Sequence, residues 1–325
     1  MRDSLWSLGG LTWKDLLKRV WNEIQEDEVF GRAAELAYYF LLALIPLLVF
    51  LTSVIGIIMG SGTGIRHSLF NYLASVMPGS AFQLIDATMY EISTETTGVK
   101  LWLGVLGALW IASSGMGAIT SALNVAYDVK ESRPWWRQRL TAILLTVALA
   151  VLIISALVLV LAGGHIAALI ARSFGFGSVF VTVWKILQWP IVLLFILVAF
   201  ALIYYFAPDL REHKLQWITP GAVIGVFLWL LVSFGFRLYL HFFDSYSKTY
   251  GSLGAVIVLM LWLYLTGAAI LIGGEVNAEI ENEMARAGDP EAKVKGEKAP
   301  GEQDADSSRG NVNPDSAERR AAGTT

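Results

Sequence analysis

Six apolar runs, at residues 36–60, 101–127, 140–164, 186–207, 215–236 and 251–274, alternate with short polar stretches along the chain. About 20 helical residues at 1.5 Å rise span a hydrocarbon core of roughly 30 Å, so each run is long enough to cross a bilayer. The last is the clearest, with no charged side chain from Gly251 to Gly274 and then Glu275, Asn277 and Glu279 directly after it. The pattern predicts an all-α, polytopic membrane helix bundle with six transmembrane helices, preceded by an amphipathic helix and followed by a disordered tail.

The preceding segment has a different period. Trp13, Leu16, Leu17, Val20, Trp21 and Ile24 recur at helical spacing, with Lys14, Asp15, Lys18, Arg19, Asn22 and Glu23 between them. This predicts an amphipathic helix over 11–29, placed either in the membrane interface or against the protein's own end face. Residues 61–100 form a polar connection with two helical pieces split by Met77, Pro78 and Gly79, and beyond residue 283 large apolar residues almost vanish. Three segments follow: a terminal segment over 1–32, a transmembrane domain over 33–283, and a tail over 284–325 expected to be disordered.

Composition agrees. Of 325 residues 55% are hydrophobic and 16% charged, well below the roughly 25% charged of an average soluble domain. The absence of cysteine excludes disulfides, thiolate metal sites and a cysteine nucleophile. A net charge of −3 provides no global field for nucleic acid. The distribution of the 24 Lys and Arg says more: Arg66, Lys100, Arg172, Lys185, Arg237 and Lys248 fall on one side of the six runs and the other 18 on the side of both termini. The excess places both termini in the cytoplasm, and it survives removal of the tail, at 11 against 6.

Within the runs, small residues mark where helix backbones can approach: Ser113, Gly117 and Ser121 in the second, Gly221 and Gly225 in the fifth. Pro46, about ten residues into the first, leaves a carbonyl without its helical donor and marks a kink, whether static or hinged. Pro190 is expected in the first turn of the fourth. Polar groups gather at the ends. Glu35, Asn124, Asp128, Asp209, Glu275 and Asn277 fall at the inner face, and Arg237, His241, Asp244, Lys248 and Tyr250 at the outer one. Charges this close to hydrocarbon are candidate functional groups unless they pair or snorkel. Pro46, Asn124, Arg237, Glu275 and Asn277 are therefore the candidate pathway or gating residues. The loop Lys130, Arg133, Pro134, Trp135, Trp136, Arg137, Arg139 is a topology anchor with a secondary capacity for anionic headgroups.

These pieces together resemble the YihY / virulence factor BrkB family of bacterial inner-membrane proteins. The likeness is carried by AAELAYYFLLALIPLL at 33–48, WIASSGMGAITSALNVAYDV at 110–129 followed by ESRPWW, PGAVIG in the fifth run, and the stretch from Tyr250 to Glu279. It implies six helices, cytoplasmic termini and inner-membrane location, and no settled activity. The family has also been labelled ribonuclease BN. Metal-dependent phosphodiester hydrolysis needs converging His and carboxylate ligands, whereas His67, His165, His213 and His241 are scattered without any HxHxD-like run. No catalytic residue, cofactor, metal or nucleic-acid partner is expected. Two functions remain: transport or transbilayer movement of an amphiphilic or anionic envelope molecule, and a structural or recruiting role without transport. Membrane lipids are the expected partners, and small-residue faces leave self-association open.

Overall fold

The computed structural model describes residues 5–59, 98–174, 178–210, 219–242 and 245–287. The polar connection before the second apolar run, the start of the fifth and nearly all of the tail lie outside the described residues, as do His67, His213, Asp244 and the side chains of His165, His241, Lys248 and Tyr250. The described residues contain helices and no strand. A 3₁₀ turn, Leu5–Gly10, leads into α1 (Trp13–Glu26), α2 (Val29–Met59), α3 (Gly98–Ala126), α4 (Trp135–Phe174), α5 (Ser178–Phe206), α6 (Pro220–Phe242) and α7 (Ser245–Arg286).

Five segments among the described residues are long and apolar enough to cross a membrane: Leu103–Ala126, Trp135–Val160, Val179–Phe206, Pro220–Tyr239 and Val256–Arg286. Each long helix packs on its successor in sequence, and α7 closes the ring by packing on α2 and reaching α3. Much of α4 and α5 is uncovered, including Leu144, Val151, Val183 and Ile186. Apolar surface on that scale suits hydrocarbon as the solvent rather than water.

Helix limits differ from the apolar runs in ways that the ends explain. α2 begins at Val29, so Glu35 lies inside it. α5 begins at Ser178, and Pro190 is therefore well inside the helix rather than in its first turn. The upstream residues Val179 to Lys185 have a helical pattern of their own, and a bilayer neighbourhood tolerates a proline within a span. α7, at 42 residues, is about 63 Å long, roughly twice the hydrocarbon thickness. Its last turns form the post of a second layer. Leu8 of the 3₁₀ turn and Leu16, Val20 and Ile24 of α1 are buried in the same core as Val276, Ile280 and Met284. Arg19 of α1 also reaches Glu283 at 2.7 Å. Thr12 starts α1 as its N-cap, accepting the Asp15 N–H at 3.3 Å.

The tightest packing joins α5, α6 and α7. A Cβ on Gly221 would collide with the Gly273 carbonyl oxygen and the Asn277 side chain, and one on Gly273 with the Tyr204 hydroxyl. A Cβ on Gly225 would stand 2.7 Å from Tyr204 Oη. Tyr204, wedged between the helices, donates from its hydroxyl to the Ile270 carbonyl at 2.7 Å. On α3 the close approach to α2 is made by Gly115, where a Cβ would lie 3.3 Å from Ala43 Cβ. Gly117 has open space around the corresponding position. The 113/117/121 stripe is therefore split: Ser113 is buried and donates to the Trp110 carbonyl at 2.8 Å, whereas Gly117 and Ser121 line a cleft. Residues four apart drift around a straight helix, and here the side of α3 shared with α2 carries Ala112, Gly115 and Ile119 instead.

Gly273→Ala should destabilise the protein by about 1–3 kcal/mol, because backbone and a buried hydroxyl must give way. Gly117→Ala should be neutral or slightly stabilising. Thermal unfolding of both variants in one detergent checks the contrast.

Candidate functional site

One end of the bundle collects the starts of α2, α4 and α6 and the ends of α3, α5 and α7, and nearly all the described polar contacts between elements lie there. Its first part is a clasp on the α3–α4 connection. α3 ends with Asp128 in the left-handed region (φ 52°), the Asp128 N–H on the Val125 carbonyl and the Val129 N–H on the Asn124 carbonyl. This closing turn satisfies carbonyls that would otherwise face hydrocarbon. Asn124, buried, donates from Nδ2 to Glu131 at 2.9 Å and accepts the Asp209 N–H at 2.8 Å. Arg133 binds Glu131 in two-pronged fashion at 2.7 and 2.8 Å and donates to the Ala207 carbonyl at the end of α5 at 2.9 Å. Asp209 in turn accepts from the Ser132 N–H and hydroxyl. The bonds to Glu131 raise the Arg133 guanidinium above its ordinary value, against the opposing effect of burial. Asn124 is thus a cross-link of three chain segments.

Asn277 has a similar position at the start of α6. Its Oδ1 accepts the Gly221 N–H at 2.8 Å and its Nδ2 donates to Thr219 Oγ1 at 2.9 Å, which itself accepts the Ala222 N–H at 3.1 Å. With Pro220 at the first helical position, the free N–H groups of α6 are largely provided for.

Glu275, one turn deeper than Glu279, is only 1% exposed. The carboxyl of Asp27 in the α1–α2 turn stands near it. Oε1 of Glu275 has no hydrogen-bond partner among the described residues. Glu23 and Asp128 add negative charge nearby. A buried carboxyl among others, with an oxygen left over, is costly for stability alone.

The third part is a cleft of about 270 Å³ between α2, α3 and α4, lined by Glu35, Tyr39, Ser114, Ser121, Gln138 and Arg139 among others. Arg139 lies over the Trp110 ring, its carbon 4.2 Å from the centroid, and donates to the Trp110 carbonyl.

The sequence-derived candidates are therefore not one site. Asn124, Glu275 and Asn277 share the polar end but serve separate contacts. Pro46, half-buried, lies farther along α2, and Arg237 is exposed on α6 and pairs with no described residue. Spacing alone did not disclose Glu131, Arg133, Thr219 and Tyr204. Their signal was position, since each flanks the end of an apolar run. Arg139 was grouped with a loop, yet it lies within α4 and faces α3.

Long apolar helices with their polar groups gathered at the ends define a multi-pass helical membrane protein. The chain belongs to the virulence factor BrkB family, whose pattern matches residues 20–298. It is 37% identical over 262 residues to the "Putative ribonuclease-like protein YfkH" of Bacillus subtilis (strain 168), covering 81% of this chain and 94% of that one. It is 30% identical over 282 residues to a "UPF0761 membrane protein" of Cronobacter sakazakii, covering 83% and 89%. A protein of the same name from Aeromonas salmonicida is 28% identical over 275 residues, covering 80% and 86%. No solved structure matches the chain.

Asn277→Ala should cost about 1–2 kcal/mol through the lost cap. Arg133→Gln should cost about 1–3 kcal/mol, because Glu131 and Asp209 lose a shared cation. Thermal unfolding in detergent checks the first. For the second, protease nicking at the 127–134 connection should rise along with the loss of stability.

Proposed function

We propose that all six long helices, α2 to α7, cross the bacterial inner membrane with both termini cytoplasmic, and that the bundle moves an amphiphilic or anionic envelope molecule between leaflets. Five of the helices qualify by length and apolarity. α2 joins them because it carries the apolar run 36–60 and packs between α3 and α7. The imbalance of Lys and Arg supports the orientation. α1 is the amphipathic helix, with Leu16, Val20 and Ile24 on α7 and Trp13, Leu17 and Trp21 exposed beside Lys14 and Lys18.

The observation that carries transport is Glu275, a buried carboxyl with one oxygen unpartnered, just beyond the glycine junction of α6 and α7. A group so placed suits a step in which the junction parts and the carboxyl meets water or substrate. Pro46 supplies a point where α2 can bend, and exposed Arg237 attracts an anion at the other end. The ribonuclease wording in the name of the Bacillus protein is not carried to this chain, whose four histidines form no ligand run.

The exposed strip of α1 favours a second reading, a recruiting or structural membrane protein. Deleting α1 would uncover Ile280 and Met284, so Trp13→Ser with Trp21→Ser is the cleaner test. Loss of function in cells from that pair, with transport intact in liposomes, supports recruitment.

In liposomes of purified protein, Glu275→Gln and Arg237→Ala should each lower movement of labelled phospholipids or of a small-anion panel by about tenfold, the loss of about 1.4 kcal/mol of barrier lowering. Folded, inserted protein that moves no probe would remove the transport reading.

A further inference from the structure

The cleft between α2, α3 and α4 has a property that neither anchoring nor packing requires. Glu35 on α2 and Arg139 on α4 line the same 270 Å³ space, and no ion pair joins them among the described residues. Opposite charges facing one cavity without meeting suit a ligand carrying both signs a short distance apart. Arg139 is held by stacking on Trp110 and by Ser114 Oγ at 3.4 Å, while its Nε–H is buried and finds no acceptor among the described residues. A guanidinium that keeps one N–H without an acceptor matches a phosphate oxygen, which supplies one together with negative charge. Ser121 and Gln138 add hydrogen-bonding groups. Tyr39 and Trp135 add aromatic rings to the same lining, the side chains that can hold an ammonium group.

A second cavity of about 200 Å³ is lined by Phe40, Ala43 and Leu47 of α2, Met116 of α3 and Leu149 and Ile153 of α4 among others, almost all apolar. On α4 these positions follow the polar cleft by roughly one to three turns, whereas on α3 they interleave with it along the chain and face another side of the helix. A charged, two-signed pocket at the membrane boundary, with Leu42, Leu140 and Leu144 exposed on the same helices, is ordered like a phospholipid lying against the bundle.

We propose that this cleft binds one phospholipid with an amine head group from the leaflet at the polar end. The phosphate lies on Arg139 and the ammonium on Glu35, and the acyl chains run along the exposed apolar sides of α2 and α4. This rests on the membrane-spanning reading and deepens the proposed function by naming a ligand class, but it does not require the lipid to be moved.

The test is native mass spectrometry of the delipidated full chain, offered phosphatidylethanolamine or phosphatidylglycerol with the same acyl chains, and separately free phosphoethanolamine. The wild type should retain one phosphatidylethanolamine in preference to phosphatidylglycerol, and free phosphoethanolamine should not displace it. Arg139→Gln should weaken retention of both lipids about tenfold. Glu35→Gln should bring phosphatidylethanolamine down to the level of phosphatidylglycerol and leave the latter unchanged. Gly117→Leu, which fills the cleft from a position with open space and keeps both charges, should exclude either lipid without loss of thermal stability. Retention by folded Arg139→Gln and Gly117→Leu equal to wild type overturns the site. Displacement by free phosphoethanolamine assigns it to a soluble head group and overturns the lipid. Binding without movement in liposomes leaves this site standing and sinks transport, whereas movement with unaltered binding in both variants does the reverse.

Discussion

At Gly221 and Gly273 the backbones of α6 and α7 touch, with room for no side chain between them. Hydrocarbon offers nothing to an unpaired N–H, so a helix that starts at such a contact needs its first donors satisfied by the neighbour itself. Asn277 does this from within α7, and Thr219 from the residue before α6. Tyr204 of α5 closes the same junction from the third side and adds a bond to the Ile270 carbonyl. The ring of helices and the central position of α7 depend on that approach. Without it α7 could not at once face α6, α2 and α3.

The polar end divides its charges by what surrounds them. Around Asn124, Glu131, Arg133 and Asp209 nearly every donor has an acceptor, and the result is a clasp that fixes the α3–α4 turn to the end of α5. Among the described residues Glu275 has an oxygen with no partner and Arg139 a nitrogen with none. Satisfied groups of the first kind account for structure. Incomplete ones of the second kind are where chemistry with another molecule has room, because burial has been incurred without full return.

Much of this was legible from residue pattern alone. Charge-free runs of sufficient length mark the long helices, and Gly221 stands where helices meet. What the pattern concealed was continuation. α7 does not stop at Glu275, because Ile280 and Met284 find an apolar partner in α1, a pairing that no local period can reveal. α5 likewise begins before Pro190, since a proline's cost depends on neighbours that a linear reading does not see. The small-residue stripe on α3 failed for a related reason. Four-residue spacing identifies a row on a helix surface, but which side of that row meets a partner is decided by Ala43 and Phe40 across the gap, and they select Gly115. The cleft could not be read at all, since Glu35 and Arg139 are about a hundred residues apart and come together only through three helices.

The pairing of α1 with the far end of α7 also orders events at the ribosome. Leu16, Val20 and Ile24 are made before the five helices α2 to α6, and Ile280 and Met284 after them. Throughout synthesis of five intervening helices the apolar face of α1 has no mate within the nascent chain. Until the end of α7 is made that face needs another cover, and the exposed row Trp13, Leu17 and Trp21 lies on the same helix. Docking of α1 on this partner therefore waits until α7 has been made.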